Sequence, residues 1–501
     1  KKQLTDPQAN KDTYYYLGET YRLSGNHDSA AFYYDSGLKE PNISALCLAG
    51  KAGLLLAGDP AQAADLLKKA TSIKEYKKKP ALYVAIAKAY AANNQTDKAT
   101  ENLDIAVGFD KKYTDIYLTE GDISMEKKVP DIGTAAQKYE SAIYFDPACK
   151  PAFIKMARIY YLAKKFDLSL EYLDKLKAID DQFPPYLKLY GDICYEQGKY
   201  ADAVAAYAGY LKSPDAGLAD QIRYAYALFF NKDYQPANDE INKILLKDPE
   251  NKILNRLQAY NAFEIGNYTT GLAEMQEFFS KVATADLIPS DYKYYARLLA
   301  KNDRDSLSIV YYLKAAEKND EPQEFYREIA SLYEKMKKYR EAAFYLEKHI
   351  KSTETPANSD FFMWGRDCYF AAGTIDSVAI AANPDEAAVR QKLYSTADSV
   401  FAQVINRAPE NYLGYFWRAR VNAILDPETL QGLAKPYYEQ AITLLEQTNK
   451  NNKKELVESY QYLGYYYYLK DDYDHSKICW NKILAIDPSN AVAKQALEGI
   501  K

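Results

Sequence analysis

Three histidines, His27, His349 and His475, are the whole imidazole complement of the 501-residue chain, and none stands at metal-ligand spacing from another candidate ligand. H-E-x-x-H, G-x-G-x-x-G, G-x-x-x-x-G-K-[ST] and G-x-S-x-G are all absent, so no short pattern for a zinc, a phosphate or a nucleophilic serine is present. The five cysteines, Cys47, Cys149, Cys194, Cys368 and Cys479, are widely separated and form no C-x-x-C pair. They read as small buried packing residues rather than a disulfide framework or a nucleophile set. Adjacent carboxylates such as Asp180-Asp181 and Asp471-Asp472 fall in turn-like sequence. The expectation is a non-enzyme with no catalytic residue, no metal and no cofactor.

The elements that would carry any other chemistry are long and regular. There are 21 Gly and 20 Pro, few enough to favour helices over turn-rich β structure. Apolar residues make up 48%, and 64 basic against 69 acidic residues leave a net charge of −5. That balance argues against nucleic acid as a partner, which needs a concentrated basic surface. No run of eighteen apolar residues is present to span a membrane as a helix.

Internal periodicity is pronounced. Tyr14, Leu17, Gly18, Tyr21, Ala30 and Tyr34 share their spacing with Tyr460, Leu463, Gly464, Tyr467, Ser476 and Trp480. Similar frames begin near 11, 44, 80, 114, 150, 184, 218, 252, 289, 323, 358, 412 and 457. Small residues recur at position 8 of the frame (Gly18, Ala87, Gly121, Ala157, Gly191) and at position 20 (Ala30, Ala63, Ala99, Ala135, Ala203). Proline follows the second half of several frames, at Pro147, Pro249, Pro409 and Pro488. Small residues let two helices approach, and proline stops the second one. A hairpin of this kind cannot bury its apolar face alone, so the frames must stack.

The pattern resembles the tetratricopeptide repeat, a 34-residue pair of antiparallel helices, over roughly residues 11–490. It implies an all-α fold, a right-handed α-solenoid of tandem helix-turn-helix units. The organisation expected is the tail of a truncated preceding unit over 1–10 with Pro7 in a turn, units 1–10 over 11–357, and unit 11 over 358–411. Units 12–13 then occupy 412–489, and a C-terminal capping helix covers 490–501. Unit 11 carries an insertion near 371–393, in which Asn383-Pro384-Asp385-Glu386 reads as a helix start with Asn383 as N-cap.

The resemblance also implies a ligand face, on positions 2, 5, 9, 12 and 13 of the first helix of each pair. Six of the thirteen arginines stand at two of those positions: Arg158, Arg297, Arg366 and Arg420 at position 9, and Arg256 and Arg327 at position 5. Tyr226, Phe229, Tyr260 and Phe263 accompany them. Arginine offers a planar fork to carboxylates and stacks on aromatic rings. The functional reading is therefore a groove for an extended peptide or another acidic partner. The competing one is a structural ladder in which the arginines pair with acids such as Glu264, Glu324, Glu328 or Glu334. The Lys/Asn/Asn/Lys/Arg clamp that the family uses for a C-terminal carboxylate is not found.

The tripeptides Asp28-Ser29-Ala30, Asp305-Ser306-Leu307, Asp376-Ser377-Val378 and Asp398-Ser399-Val400 look like the O-glycosylation motif of exported Bacteroidetes proteins. The expectation is a protein-interaction scaffold in the periplasm or cell envelope, with room for a lipid anchor upstream. The alternatives are a glycan-binding nutrient-uptake lipoprotein and a cytoplasmic scaffold.

Overall fold

The computed structural model describes residues 11–39, 43–319, 321–447 and 452–500. The tail and the turn at Pro7 expected over 1–10, and the last residue of the expected cap, lie outside them. Among the described residues there are 28 α-helices, two short 3-10 helices and no strand. The helices come in consecutive pairs, from Thr13–Leu23 with His27–Ser36 to Lys453–Leu469 with Tyr473–Ile486. The architecture is an all-α solenoid. The chain divides into two compact units, Lys1–Glu240 and Ile241–Lys501.

Local chemistry marks several of the helix starts and turns. Side chains cap four of the second helices: Asn26 accepts from the Ser29 N–H, Asp59 from Gln62, Asp131 from Thr134 and Asp472 from His475. The turn between the two helices passes through a left-handed residue at position 15 in nine frames. It is glycine at Gly25, Gly198 and Gly266, but Asn94, Lys164, Lys232, Asp303, Lys337 and Asp471 elsewhere, with φ between 56° and 65°.

In the amino-terminal unit, Ala45–Leu55 (ALCLAGKAGLL) has apolar residues on every side. A helix of that kind belongs inside, and Ala45, Leu46, Cys47, Leu48, Ala49, Gly50 and Ala52 are all buried. Pro80–Ala91 is similar, with Leu82 through Ala87 buried in one run. These two helices form one core with their neighbours, from Tyr15 to Ile116.

In the carboxyl-terminal unit, the inserted stretch forms a short helix, Ser377–Ala382, and a 23-residue helix, Asp385–Arg407. The long helix takes Pro384 as its N-cap residue, and the Asn383 side chain accepts from the Asp385 N–H at 3.2 Å. Glu386 ties it back to Arg340 on the preceding Tyr339–Ser352 helix at 3.2 Å. At the far end, Ala491–Gly499 packs on the last pair, with Ala493 and Ile500 buried beside Trp480 and Ile483. All five cysteines are free and buried, and burial pushes their thiols up, Cys47 and Cys368 to about 12.

Candidate binding surface along the first helix of each pair

The surface is set by a lock inside each pair. Where position 8 is glycine, an aromatic ring from position 24 of the partner helix lies against it. A Cβ on Gly18 would fall 2.2 Å from the Tyr34 ring, on Gly121 2.3 Å from Tyr139, on Gly191 2.8 Å from Tyr207, and on Gly464 2.7 Å from Trp480. The tyrosine hydroxyl then reaches the acid at position 9. Tyr34 donates to Glu19 at 2.5 Å, Tyr139 to Asp122 at 2.8 Å and Tyr207 to Asp192 at 2.8 Å. Burial and the neighbouring carboxylate push these phenols far up. Cations complete the sites: Arg22 on Glu19 at 2.8 Å, Lys155 on Asp122 at 2.6 Å and Arg223 on Asp192 at 2.6 Å.

A second device links one pair to the next. A cation at position 5 binds an aspartate at position 3 of the following pair, where that aspartate also caps its own helix. Lys188 meets Asp220 at 2.7 Å, Arg256 meets Asp291 at 2.8 Å and Arg327 meets Asp360 at 2.9 Å. The three aspartates accept from the backbone N–H of Gly217, Ile288 and Ala357 in turn. Arg256 is the most committed. Its fork holds both Asp291 oxygens, a further N–H reaches the Asp286 carbonyl, and the Tyr260 hydroxyl donates to the same carboxylate. Asp291 is fully buried, so the charge is compensated in place.

The six arginines therefore divide. Arg256 and Arg327 belong to this clasp. Arg420 forms a two-pronged pair with Glu458 at 2.7 and 2.6 Å, lying over Phe416 and Trp417. Arg366 pairs with Glu334. Glu334 is one of the four acids named from sequence; the other carboxylates on the ladder, Asp291, Asp360 and Glu458, were not among them. Arg158 and Arg297 have no carboxylate among the described residues. Arg158 is exposed. Arg297 lies over the Phe263 and Tyr294 rings at 5.6 and 5.8 Å, and its charge acts on the buried Tyr312 phenol.

The four aromatics divide as well. Phe229 and Tyr260 are 7% and 6% exposed and belong to the core rather than the surface. Tyr226 is half-buried and lines a cavity of about 260 Å³ with Tyr161, Asp192, Tyr195, Glu196 and Arg223. Phe263 is half-buried beneath Arg297. In the carboxyl-terminal unit, Tyr312, Arg327, Glu328, Ser331 and Lys335 line a cavity of about 380 Å³. One Glu328 oxygen is buried there without a hydrogen-bond partner. Sequence reasoning overlooked Ser331 and Lys335, although both stand at positions 9 and 13 of the same face.

Neither a family model nor a curated protein matches this chain. Among solved structures, it is 33% identical to the C-terminal part of a TPR repeat-containing protein from Cytophaga hutchinsonii. That match covers 55% of this chain and 99% of that one, with a TM-score of 0.44. It is 13% identical to a tetratricopeptide repeat protein from Parabacteroides merdae, covering 47% and 92% of the two chains (TM-score 0.32). It is 13% identical to yeast Tom70, covering 76% and 99% (TM-score 0.30). Taken with the recurring helix pairs and their glycine–ring locks, the identity to the Cytophaga protein over nearly its whole length assigns the chain to the tetratricopeptide-repeat proteins.

Proposed function

We propose that the protein is an interaction scaffold whose carboxyl-terminal unit receives an extended acidic segment of a partner protein at Arg297 and the cavity beside it. The repeat is a protein-interaction fold and is generally non-catalytic. The observation that carries the finer reading is Arg297 itself. Of the five arginines singled out in that unit, it alone has no carboxylate, while two aromatic faces hold its guanidinium in place. Next to it lies a cavity of about 380 Å³ lined by Tyr312, with Arg327 and Lys335 on its wall already paired to Asp360 and to Asp303 and Asp305. In the amino-terminal unit, Arg158 is the corresponding exposed cation.

A periplasmic or cell-envelope setting is part of the proposal. It is supported by the four Asp-Ser tripeptides, of which Ser306 and Ser377 are exposed at helix starts and Ser399 is exposed within the Asp385–Arg407 helix.

The test is Arg297→Ala measured two ways. Binding of Glu-rich peptides from an array should weaken by about tenfold and fall with rising salt, as exposed charge contacts do. The melting temperature should stay nearly unchanged, because no buried acid loses its partner. Intact affinity together with a clear loss of stability would end the reading.

A further inference from the structure

We propose that the first helices of pairs 1, 3 and 4 form a site for a small zwitterion, an α-amino acid with an apolar side chain. The first helices of pairs 1, 3 and 4 (Thr13–Leu23, Pro80–Ala91 and Thr114–Met125) line a common cavity of about 300 Å³. Ligand pockets run from about 300 to 1,000 Å³, so the volume suits one amino acid rather than a peptide or a sugar chain.

Its charges are mostly consumed internally. Glu19 is held by Arg22 and the Tyr34 hydroxyl, and Asp122 by Lys155 and the Tyr139 hydroxyl. Beside the exposed Tyr16 hydroxyl, three polar groups are left over. The Lys88 ammonium, half-buried, makes no ion pair or hydrogen bond among the described residues. Neither does the Glu126 carboxylate, exposed at the mouth. The Tyr15 hydroxyl is buried with no hydrogen-bond partner, on a side chain only 4% exposed. Buried polar groups in folded proteins are ordinarily partnered, so Tyr15 marks a place where another group belongs.

One unpaired cation, one unpaired anion and one orphaned hydroxyl complement a molecule carrying one carboxylate and one ammonium. The ligand carboxylate accepts from Lys88 and Tyr15, its ammonium donates to Glu126, and Tyr16, Ala91 and Ile123 cover its side chain. A purely anionic ligand would leave Glu126 repelling it, and a purely cationic one would face Lys88.

The experiment is calorimetric titration of the whole chain with L-leucine and L-phenylalanine. In parallel run 4-methylpentanoate, which lacks the ammonium, and 3-methylbutylamine, which lacks the carboxylate. Saturable binding of an amino acid, weakened about tenfold or more for both analogues, is expected. Lys88→Met and Glu126→Gln should each weaken it to a similar degree while leaving the circular-dichroism spectrum unchanged. Tyr15→Phe should weaken it less. No saturable heat with either amino acid overturns the proposal. So does equal binding of the analogues, which would mean apolar filling only. If one variant fails to fold, the analogue series and the other variant still decide.

Discussion

Asp367 is fully buried on helix Asn358–Gly373, and neither of its carboxylate oxygens has a hydrogen-bond partner among the described residues. Burial, and then the Glu334 carboxylate, push its ionisation up to about 7, against a smaller opposing pull from Arg366. The folded chain therefore holds a proton that the unfolded chain releases in the ordinary carboxylate range. Stability linked to this group is fully present below about pH 4 and is lost as the pH rises through about 7. Asp367→Asn removes the charge at nearly constant shape. It should raise the unfolding free energy at pH 8 by up to about 4 kcal/mol and change it little at pH 4. Melting curves at the two pH values check this, and an equal shift at both would point to packing instead. Gly191 makes the opposite case. Leucine there must displace the Tyr207 ring, which is pinned by its bond to Asp192. Gly191→Leu should cost about 1–3 kcal/mol, read by urea unfolding.

At the scale of the helices, the position-15 turn and the position-5 clasp each predict a direction. Lys164, Lys232 and Lys337 sit at φ values of 56°, 65° and 57°, a region costing a non-glycine residue roughly 1 kcal/mol or more. Lys337→Gly should therefore stabilise by about 0.5–1 kcal/mol after the extra entropy of the unfolded glycine, whereas Lys337→Val should destabilise. Identical melting of the two variants would count against a strained turn. Arg256→Ala removes the fork from the fully buried Asp291 and leaves it only the Tyr260 hydroxyl and the Ile288 N–H. A loss of about 3 kcal/mol is expected, in contrast to the near-neutral Arg297→Ala. Neither the capping role of Asp291 nor its clasp was read from the sequence, and the clasp is non-local: Arg256 lies 35 residues away and meets Asp291 only after one pair has stacked on the next.

Over the molecule as a whole, repeats bury their faces against neighbours, so the last pair needs a cover. Ala491–Gly499 packs on the Lys453–Leu469 and Tyr473–Ile486 pair, with Ile500 buried against the core that holds Trp480, Ile483 and Leu463. Deleting residues 490–501 should uncover that face and drive self-association, visible as a concentration-dependent mass in sedimentation. A truncated chain that stays monomeric would show that the face needs no cover.

The all-α class of the fold was determined by the sequence alone, because spacing within one frame is local. Small residues at 8 and 20, a ring at 24 and a stop at 32 specify a hairpin whatever lies around it. The surface was legible only as a face. Positions 5 and 9 do carry the six arginines, but whether a long, flexible arginine keeps its fork free depends on an acid one pair away. That distance is decided by how the pairs stack. Stacking gave Asp291, Asp360 and Glu458 to Arg256, Arg327 and Arg420, drew Phe229 and Tyr260 into the core, and left Arg297 on its two rings. The same is true of the cavity at Tyr15, Lys88 and Glu126. Only the tertiary structure brought three first helices to one hollow.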